Sequence, residues 1–281
     1  MRNPTLSTLL CTGLLALASL TSNAAIVANY NFDTVAIGAT PPTTAPGTDP
    51  LPQSQLDAIG GYAATPGTVT VQDVGGMSHA AVMTVNHAAT GAQYLDTQFL
   101  VATTYASISF DINIIDVPAS GIDQAGVGAP NGQAFAMNLF GLDSQRVFRF
   151  AVAPTSATGG NFGVRLPGDA GDLFDFAAYT EGTTYHLEFQ NDFVAGTTSI
   201  FLNNNFVASS PTVLPATGIS ELFMFQNGVE GQTNSVALDN IVISTDRTAA
   251  AVPDSGSTIA LFGFGLLGLG LVNRLKKSVT K

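Results

Sequence analysis

The sequence predicts an all-β protein, a two-sheet antiparallel sandwich that lies between two apolar ends. Short segments of alternating apolar and polar residues recur about every 8–12 residues, with Gly, Pro, Asn and Asp between them. No stretch between the two ends keeps a 3.6-residue period, and no repeat of fixed spacing occurs, which argues against helical, propeller and solenoid folds. Removing both ends leaves about 225 of the 281 residues, enough for one large domain.

Residues 1–24 have the three parts of a secretory signal peptide, which we expect to form a helix. Met1 and Arg2 give a basic start, residues 6–20 are apolar, and residues 22–25 read Ser-Asn-Ala-Ala, a small-residue cleavage site. The single cysteine, Cys11, lies inside this leader, and the residues before it lack the small side chains of a lipoprotein signal. The mature protein would contain no cysteine, which excludes disulfides and thiol catalysis.

The body, residues 25–247, is predicted to begin with a strand at residues 26–32 that ends at Asp33. Residues 39–52 contain five prolines and are predicted to form a surface loop. Short strands are expected next at residues 68–72, 81–86, 93–95 and 99–101, the first two separated by Gly75 and Gly76.

Residues 105–115 give the strongest strand signal in the chain. Alternate residues place an apolar set on one face: Ala106, Ile108, Phe110, Ile112 and Ile114. The residues between them are polar: Ser107, Ser109, Asp111 and Asn113. A period of two sustained over this length predicts an antiparallel strand with one buried face.

The second half of the body repeats these signals. A Gly- and Pro-rich loop at residues 118–132 precedes a predicted hairpin of residues 133–140 and 146–152. Further strands are expected at 161–166, 184–191, 219–226 and 236–244. Residues 197–203 and 206–208 should pair across Asn203, Asn204 and Asn205, because asparagine tolerates the left-handed backbone of a tight turn.

Residues 248–281 are predicted to be a linker followed by a membrane anchor. The apolar run 259–272 would form about 21 Å of helix, whereas a bilayer needs about 30 Å. A helix over roughly residues 257–275 closes the gap if the lysine stems reach the interface. The basic tail, residues 274–281, carries Arg274, Lys276 and Lys277 and places the C-terminus in the cytoplasm. A buried core helix is the alternative, which the length alone would favour.

The motif before this helix reads Val252, Pro253, Asp254, Ser255 and Gly256. Together with the apolar run and the basic tail it resembles the VPDSG variant of the PEP-CTERM sorting signals of Gram-negative bacteria. The resemblance implies secretion across the inner membrane, membrane anchoring at first, and recognition by an exosortase as a partner. It also implies a final place at the cell surface or in the extracellular polysaccharide matrix. The proline keeps the motif extended and accessible to a processing enzyme.

Parts of the body are similar to laminin-G and concanavalin A-like jelly rolls. The similar segments are residues 179–189, residues 198–205, and the opening and closing strands around residues 30–33 and 238–243. This resemblance implies a two-sheet antiparallel jelly-roll sandwich whose first and last strands lie side by side. Domains of this kind include both carbohydrate-binding and non-binding members.

The charge of the body limits its partners. Between residues 26 and 252, nineteen acidic residues face four arginines and no lysine, a net charge near −15. Nucleic acid is therefore excluded as a partner, since phosphate contacts need Lys and Arg. A negative surface suits cations, and oxygen ligands suit calcium in particular.

Two groups of aspartates are candidate ligands for a structural calcium ion. Asp33 follows the first strand and Asp239 lies in the last, so the two side chains meet if those strands pair. Asp169, Asp172 and Asp175 form a second candidate in a Gly-rich loop. The alternative for both groups is a set of solvated surface aspartates.

Catalytic signals are missing from the sequence. Glycosidases need two positioned carboxylates, and the whole chain has only four glutamates, none in a Glu-x-Asp-x-x-Glu run. Glu188 and Asp192 can share a strand face, but a solvated face explains them as well. The histidines, His79, His87 and His186, lack the spacing of a zinc site. We therefore predict a protein that is not an enzyme.

The expected function is that of a structural, adhesive or glycan-binding component of the cell surface and its polysaccharide. The alternative is a divergent polysaccharide hydrolase or lyase of the same fold. Sugar stacking needs exposed aromatic rings, and the chain has no tryptophan. Tyr62, Tyr94 and Tyr179 are the candidates, predicted to lie in loops, with hydrophobic packing as the alternative for each.

Overall fold

A computed structural model describes residues 25–46, 51–62, 67–86, 92–117, 134–156, 158–165, 173–211, 214–227 and 233–246. The chain divides into two compact units, Met1–Arg247 and Thr248–Lys281. The predicted signal helix, the sorting motif and the predicted membrane helix all lie outside the described residues. Within the described ranges, no helix is long and apolar enough to cross a membrane.

Fifteen strands form within the described residues. They are β1 (Ile26–Tyr30), β2 (Ala58–Tyr62), β3 (Thr68–Val74), β4 (Met77–Asn86), β5 (Ala92–Ala102), β6 (Tyr105–Asp116), β7 (Phe135–Gly141), β8 (Arg146–Ser156), β9 (Gly159–Arg165), β10 (Leu173–Thr180), β11 (Thr184–Asp192), β12 (Thr197–Leu202), β13 (Asn205–Ser210), β14 (Gly218–Asn227) and β15 (Thr233–Ser244).

The strands form two antiparallel sheets. The eight-stranded sheet has the order β13-β12-β11-β6-β15-β4-β3, with β1 also paired to β15. The seven-stranded sheet has the order β10-β9-β8-β7-β14-β5-β2. The all-β, two-sheet antiparallel prediction is confirmed, and most predicted strands are present with slightly longer bounds.

Three differences from the predicted strands have physical reasons. The segment 92–102 is one strand instead of two, because the inward-facing Thr97 is buried and its hydroxyl donates to Gln53 Oε1 at 2.8 Å. The sequence contains no strand signal for β2, which is short and contains two glycines. It also missed β10, whose alternation is broken by a bulge between Asp175 and Ala177.

Phenylalanine rings join the two sheets at the centre of the sandwich. Phe150 of β8 is fully buried, and its ring centroid lies 5.3–6.5 Å from five other phenylalanine centroids. These neighbours come from both sheets: Phe110, Phe135, Phe162, Phe176 and Phe189. The apolar face predicted for residues 105–115 is fully buried in the same core.

The last strand, β15, lies inside the eight-stranded sheet. Along one side it pairs with β6; along the other it pairs first with β4 and then with β1. The change of partner coincides with a bulge at Asp239 and Asn240, where Asn240 has a left-handed φ of 51°. Two successive side chains therefore point to the outer face of the sheet. The predicted pairing of the first and last strands is confirmed.

Candidate functional site

The outer face of the seven-stranded sheet carries aromatic and acidic side chains side by side. In β5 the core residues alternate with Tyr94 and Asp96, and in β14 they alternate with Glu221 and Phe223. The strand register places Phe223 directly opposite Asp96 on one side and Asn138 of β7 on the other. Neighbouring strands are about 4.8 Å apart, so these five side chains form one cluster, called here the outer-face cluster.

The aromatic rings of the cluster form a small platform. The ring centroids of Tyr94 and Phe223 are 5.3 Å apart with 30° between their planes, and both side chains are half-buried. Phe225 is buried behind them, 5.7 Å from Phe223, and the Arg149 guanidinium carbon lies 5.4 Å from the Phe225 centroid. The platform is therefore backed by packed side chains.

Gly60 of β2 makes room for the Tyr94 ring. It lies opposite Tyr94 in the strand register. A Cβ atom at this position would collide with the Tyr94 hydroxyl and ring. The position of the tyrosine ring thus depends on the absence of a side chain at Gly60.

Asp96 and Glu221 form a hydrogen-bonded pair of carboxyl groups next to the platform. Burial, together with the negative charge of Asp96 and the hydrogen bond to it, raises the pKa of Glu221 to about 7. Burial also raises the pKa of Asp96, and the charge of Asp57 adds to this effect. The pair therefore holds a proton at a pH where isolated carboxyl groups are ionised.

Asp57 supports the acidic pair from the neighbouring chain segment. Its backbone N–H donates to the Asp96 carbonyl oxygen at 2.9 Å, and its carboxylate accepts a hydrogen bond from the Gln98 N–H. The side chain is only 6% exposed, so its charge acts on Asp96 through protein as well as water. Three acidic groups thus lie at the same end of the outer-face cluster.

One buried acceptor atom of the cluster, Oδ1 of Asn138, has no hydrogen-bond partner among the described residues, and its residue is 5% exposed. Buried polar atoms are nearly always paired in folded proteins. An atom of this kind beside the aromatic platform is a candidate contact for a ligand.

The outer face of the eight-stranded sheet carries a different polar group, called here the His186 network. Asp111 of β6 binds His186 through one carboxylate oxygen, 2.7 Å from Nδ1, and Asn240 Nδ2 through the other at 2.8 Å. The hydrogen bond to Asp111 and the nearby acidic charges raise the pKa of His186 despite its partial burial. Burial acts to raise the pKa of Asp111, but the hydrogen bonds from His186 and Asn240 lower it overall.

The predicted calcium ligands Asp33 and Asp239 come together next to this network. The Phe32 N–H donates to the Asp239 carboxylate, and burial together with the charges of Asp33 and Asp111 raises the pKa of Asp239. Within the described ranges, however, no three His, Cys, Asp or Glu side chains are arranged to hold a metal ion. Calcium at this position therefore stays a prediction.

Only part of the second predicted calcium group, and only some of the histidines, lie among the described residues. Asp175 lies on β10 and accepts a hydrogen bond from Asn161 Nδ2 at 2.9 Å, whereas Asp169, Asp172 and His87 lie outside the described residues. His79 has a left-handed backbone and lies beside Asp73, with its N–H 3.0 Å from the carboxylate.

The carboxylates of Glu188 and Asp192, both on β11, accept hydrogen bonds from nearby groups of the chain. Glu188 accepts hydrogen bonds from Ser107 Oγ and Gln190 Nε2, at 3.2 and 2.9 Å. The Asp192 carboxylate accepts the N–H groups of Val194 and Ala195, which closes the turn after the strand. The structure thus assigns local hydrogen-bonding roles to both carboxylates.

The three tyrosines predicted to lie in loops are all on strands, so that placement is wrong. Tyr62 ends β2. Tyr179 of β10 is 3% exposed, and burial strongly raises the pKa of its hydroxyl. Tyr94 lies on β5 and belongs to the outer-face cluster. The sequence missed Asp96, Asn138, Glu221 and Phe223, although the polar positions of the alternating segment 219–226 offered a signal for Glu221.

Comparisons with known proteins identify the C-terminal motif and show which solved structures the chain resembles. Residues 251–276 match the VPDSG-CTERM motif. The tail is a PEP-CTERM-like sorting signal. It points to export and association with the cell surface. No curated protein matches this chain in sequence.

Solved structures similar to this chain include a sialidase, at 12% identity and a TM-score of 0.50, over 68% of this chain and 17% of the sialidase chain. They also include the carbohydrate recognition domain of Emp47p, at 12% identity and a TM-score of 0.42, over 69% and 91% of the two chains. A third is the binding domain of botulinum neurotoxin DC in complex with SialylT, at 10% identity and a TM-score of 0.42, over 67% and 42%. The chain spans only 17% of the sialidase chain, and at this identity the likeness shows the fold alone.

Proposed function

We propose that this protein is a non-catalytic, surface-anchored glycan-binding protein that binds sugar at the outer-face cluster. The observation that carries the proposal is the juxtaposition of the Tyr94 and Phe223 rings with the Asp96 and Glu221 carboxyl groups. Sugar rings present apolar C–H faces and hydroxyl edges, so a binding site needs aromatic surface and acceptors together. The unpartnered acceptor of Asn138 lies in the same row of side chains.

The geometry of the acidic pair supports binding over catalysis. Glycosidases place their two carboxyl groups about 5–9.5 Å apart, with the substrate or water between them. Asp96 and Glu221 lie close enough to hydrogen-bond to each other, a shorter separation than either glycosidase arrangement uses. The alternative function, a polysaccharide hydrolase or lyase, draws on the raised pKa of Glu221, which suits a proton donor. That alternative would be supported if the protein released sugar products from a polysaccharide and the Glu221→Gln variant did not.

The anchoring part of the proposal rests on the sorting motif. An exosortase is the expected partner, and the surface polysaccharide of a Gram-negative bacterium is the expected environment. Deleting residues 259–281 should release the protein from the membrane fraction into the soluble and extracellular fractions. A variant still found in membranes would contradict the anchor.

Glycan binding is tested with the full-length protein in detergent on a glycan array, followed by titration calorimetry on the best glycan. Phe223→Ala should weaken binding about tenfold, because a stacked ring contributes about 1–2 kcal/mol. Phe206→Ala is the matched control, since Phe206 is 60% exposed on β13 of the other sheet. An array without signal, or equal effects of the two variants, would overturn the proposed site.

A further inference from the structure

We propose that the ligand of the outer-face cluster carries a free amino group: Asp96 and Glu221 bind the ammonium group of an amino sugar whose ring lies against Tyr94 and Phe223. This inference rests on the proposed glycan-binding function and names the class of sugar. Three features of the described residues support this inference. They are the charge of the Asp96–Glu221 pair, the acceptor atoms of the outer-face cluster and the aromatic rings beside the pair.

The acidic pair lacks a basic partner. The groups that act electrostatically on Asp96 and Glu221 are each other and Asp57, all of them acidic. No basic side chain of the described ranges lies within ion-pair distance of either carboxyl group. A cation from outside the chain would relieve this like-charge repulsion, and the field of a body near −15 attracts cations to it.

The acceptor atoms suit a group with several N–H donors. The Asp96 and Glu221 carboxyl groups lie together and offer several acceptor lone pairs, and Oδ1 of Asn138 on the other side of Phe223 is buried without a hydrogen-bond partner. An ammonium group has three donors and no acceptor. It can satisfy Asp96 and Glu221 at once, while a sugar hydroxyl on the far side of the ring reaches Asn138.

The neighbouring rings select an organic cation over a metal ion. The Phe223 ring lies beside Asp96 in the register, and the Tyr94 ring lies 5.3 Å from Phe223. Aromatic faces attract ammonium groups and pack on sugar C–H groups, and they offer no ligands to calcium. Among the described residues no group of three or more metal-ligating side chains exists at this position. Acidic sugars are disfavoured, because they would add a carboxylate to three others.

Binding of an ammonium group should release a proton. Glu221 is mostly protonated below its pKa of about 7, and a bound cation favours the ionised carboxylate. The proton therefore passes from Glu221 to the buffer as the amine binds. A neutral sugar causes no such release.

The test is titration calorimetry of the full-length protein with a tetramer of β-linked glucosamine and with the same tetramer fully N-acetylated. We expect the free-amine tetramer to bind at least tenfold more tightly. Glu221→Gln and Asp96→Asn should reduce this preference to threefold or less. Glu188→Gln, on the other sheet, is the matched control and should leave it unchanged. At pH 6, heats in two buffers of different ionisation enthalpy should show proton release that Glu221→Gln removes.

The outcomes separate the two proposals. If neither tetramer nor any arrayed glycan binds, the glycan-binding function itself fails. If both tetramers bind equally and Phe223→Ala weakens both, the function stands and the amino-group inference is overturned. Calcium chloride titrated alone is the third arm: binding that Glu221→Gln abolishes would make a metal ion the occupant and would also overturn the inference.

Discussion

The two outer faces of the sandwich carry similar residue types in opposite electrostatic states. On the eight-stranded sheet, Asp111 is held by His186 on one oxygen and by Asn240 on the other. On the seven-stranded sheet, the charged neighbours of Asp96 and Glu221 are each other and Asp57, all of them acidic, and Gln98 Nε2 is an amide donor to the pair, 3.3 Å from an Asp96 oxygen. The Asp111 charge is balanced by donors within the chain, whereas no basic side chain among the described residues balances the charge of Asp96 and Glu221.

This difference separates a group that stabilises the fold from the group that we propose binds a ligand. A carboxylate with a cation and an amide donor contributes to folding, and its pKa is lowered. Carboxyl groups that repel each other cost folding free energy and persist where function needs them. The pKa is raised for His186, which is a base, and for Glu221, which is an acid, so removing the charge of each side chain should have opposite effects on stability.

The largest expected effect tests whether both faces rest on one core. Phe150→Ala removes the ring that contacts phenylalanines of both sheets, and should cost about 3–5 kcal/mol of unfolding free energy. Hydrogen exchange should lose protection equally in the β5–β14 and β6–β15 ladders. The exposed Phe206→Ala should change stability by no more than about 0.5 kcal/mol. Loss confined to one ladder would mean that the sheets unfold separately and would break the comparison.

Removing the charge of Glu221 should stabilise the protein at high pH. The folded pKa is raised from 4.5 to about 7, so the folded state binds the extra proton and stability falls as pH rises between these values. Glu221→Gln removes this loss. We expect a gain of roughly 1 kcal/mol at pH 8, after discounting for solvent screening of a half-exposed pair, and little change at pH 4.5. Urea denaturation at several pH values measures it; a destabilised variant at pH 8 would contradict the like-charge repulsion.

Removing the charge of His186 should destabilise the protein, the opposite of the effect expected at Glu221. Its folded pKa is raised, so its stabilising contribution is complete below about 6.5 and is lost as pH rises through the folded value. His186→Gln should cost roughly 0.5 kcal/mol at pH 5.5 and less at pH 8.5, since the imidazole is about one-third exposed. The same denaturation series serves as the measurement. Equal losses at both pH values would assign His186 a packing role only.

A smaller effect is expected at Gly60. Gly60→Ala should push the Tyr94 ring away from Phe223 and weaken glycan binding about threefold, while the fold remains intact. In a Tyr94→Ala background the same substitution should have no further effect on affinity, because the ring it displaces is gone. Additive effects of the two substitutions would show that Gly60 acts on the sheet and not on the platform.

The smallest effect concerns calcium at Asp33 and Asp239. Calcium at millimolar concentration should raise the melting temperature by about 1–3 °C, as expected for a weakly bound ion that prefers the folded state. Asp239→Asn should abolish the shift, and Glu188→Gln on the same sheet, which belongs to neither candidate calcium group, should not. An unchanged melting temperature in calcium would remove this prediction.

The sequence predicted the fold better than the site for physical reasons. The alternation of apolar and polar residues over 105–115 shows directly which face of the strand is buried. The pairing of β1 with β15 was expected because the first and last strands lie side by side in the jelly rolls that this sequence resembles. Asp96 and Glu221, in contrast, meet only through the pairing of β5 with β14, and a bulge between Ile219 and Glu221 sets which residues face outward. A shift of one residue would turn every side chain to the other face.

The tyrosines show the same limit. Tyr94 lies within the short strand predicted at residues 93–95, but the position of its ring depends on Gly60 of the paired strand. Local sequence contains no information on that partner, because β2 itself has almost no strand signal. The C-terminal sorting signal is the opposite case. Its motif, apolar run and basic residues are contiguous in the sequence, so the signal can be recognised without knowledge of the fold.

The position of β15 has a mechanical consequence. The Thr245 N–H donates to the Ala25 carbonyl oxygen at 3.1 Å, and the strand before it is hydrogen-bonded on both sides, to β6 and to β1. Tension applied to the chain beyond residue 246 would load an interior strand along its length, so that many ladder hydrogen bonds must shear together. If the protein is tethered through its C-terminal segment, as we propose, this arrangement should resist pulling better than one in which an edge strand is unzipped bond by bond.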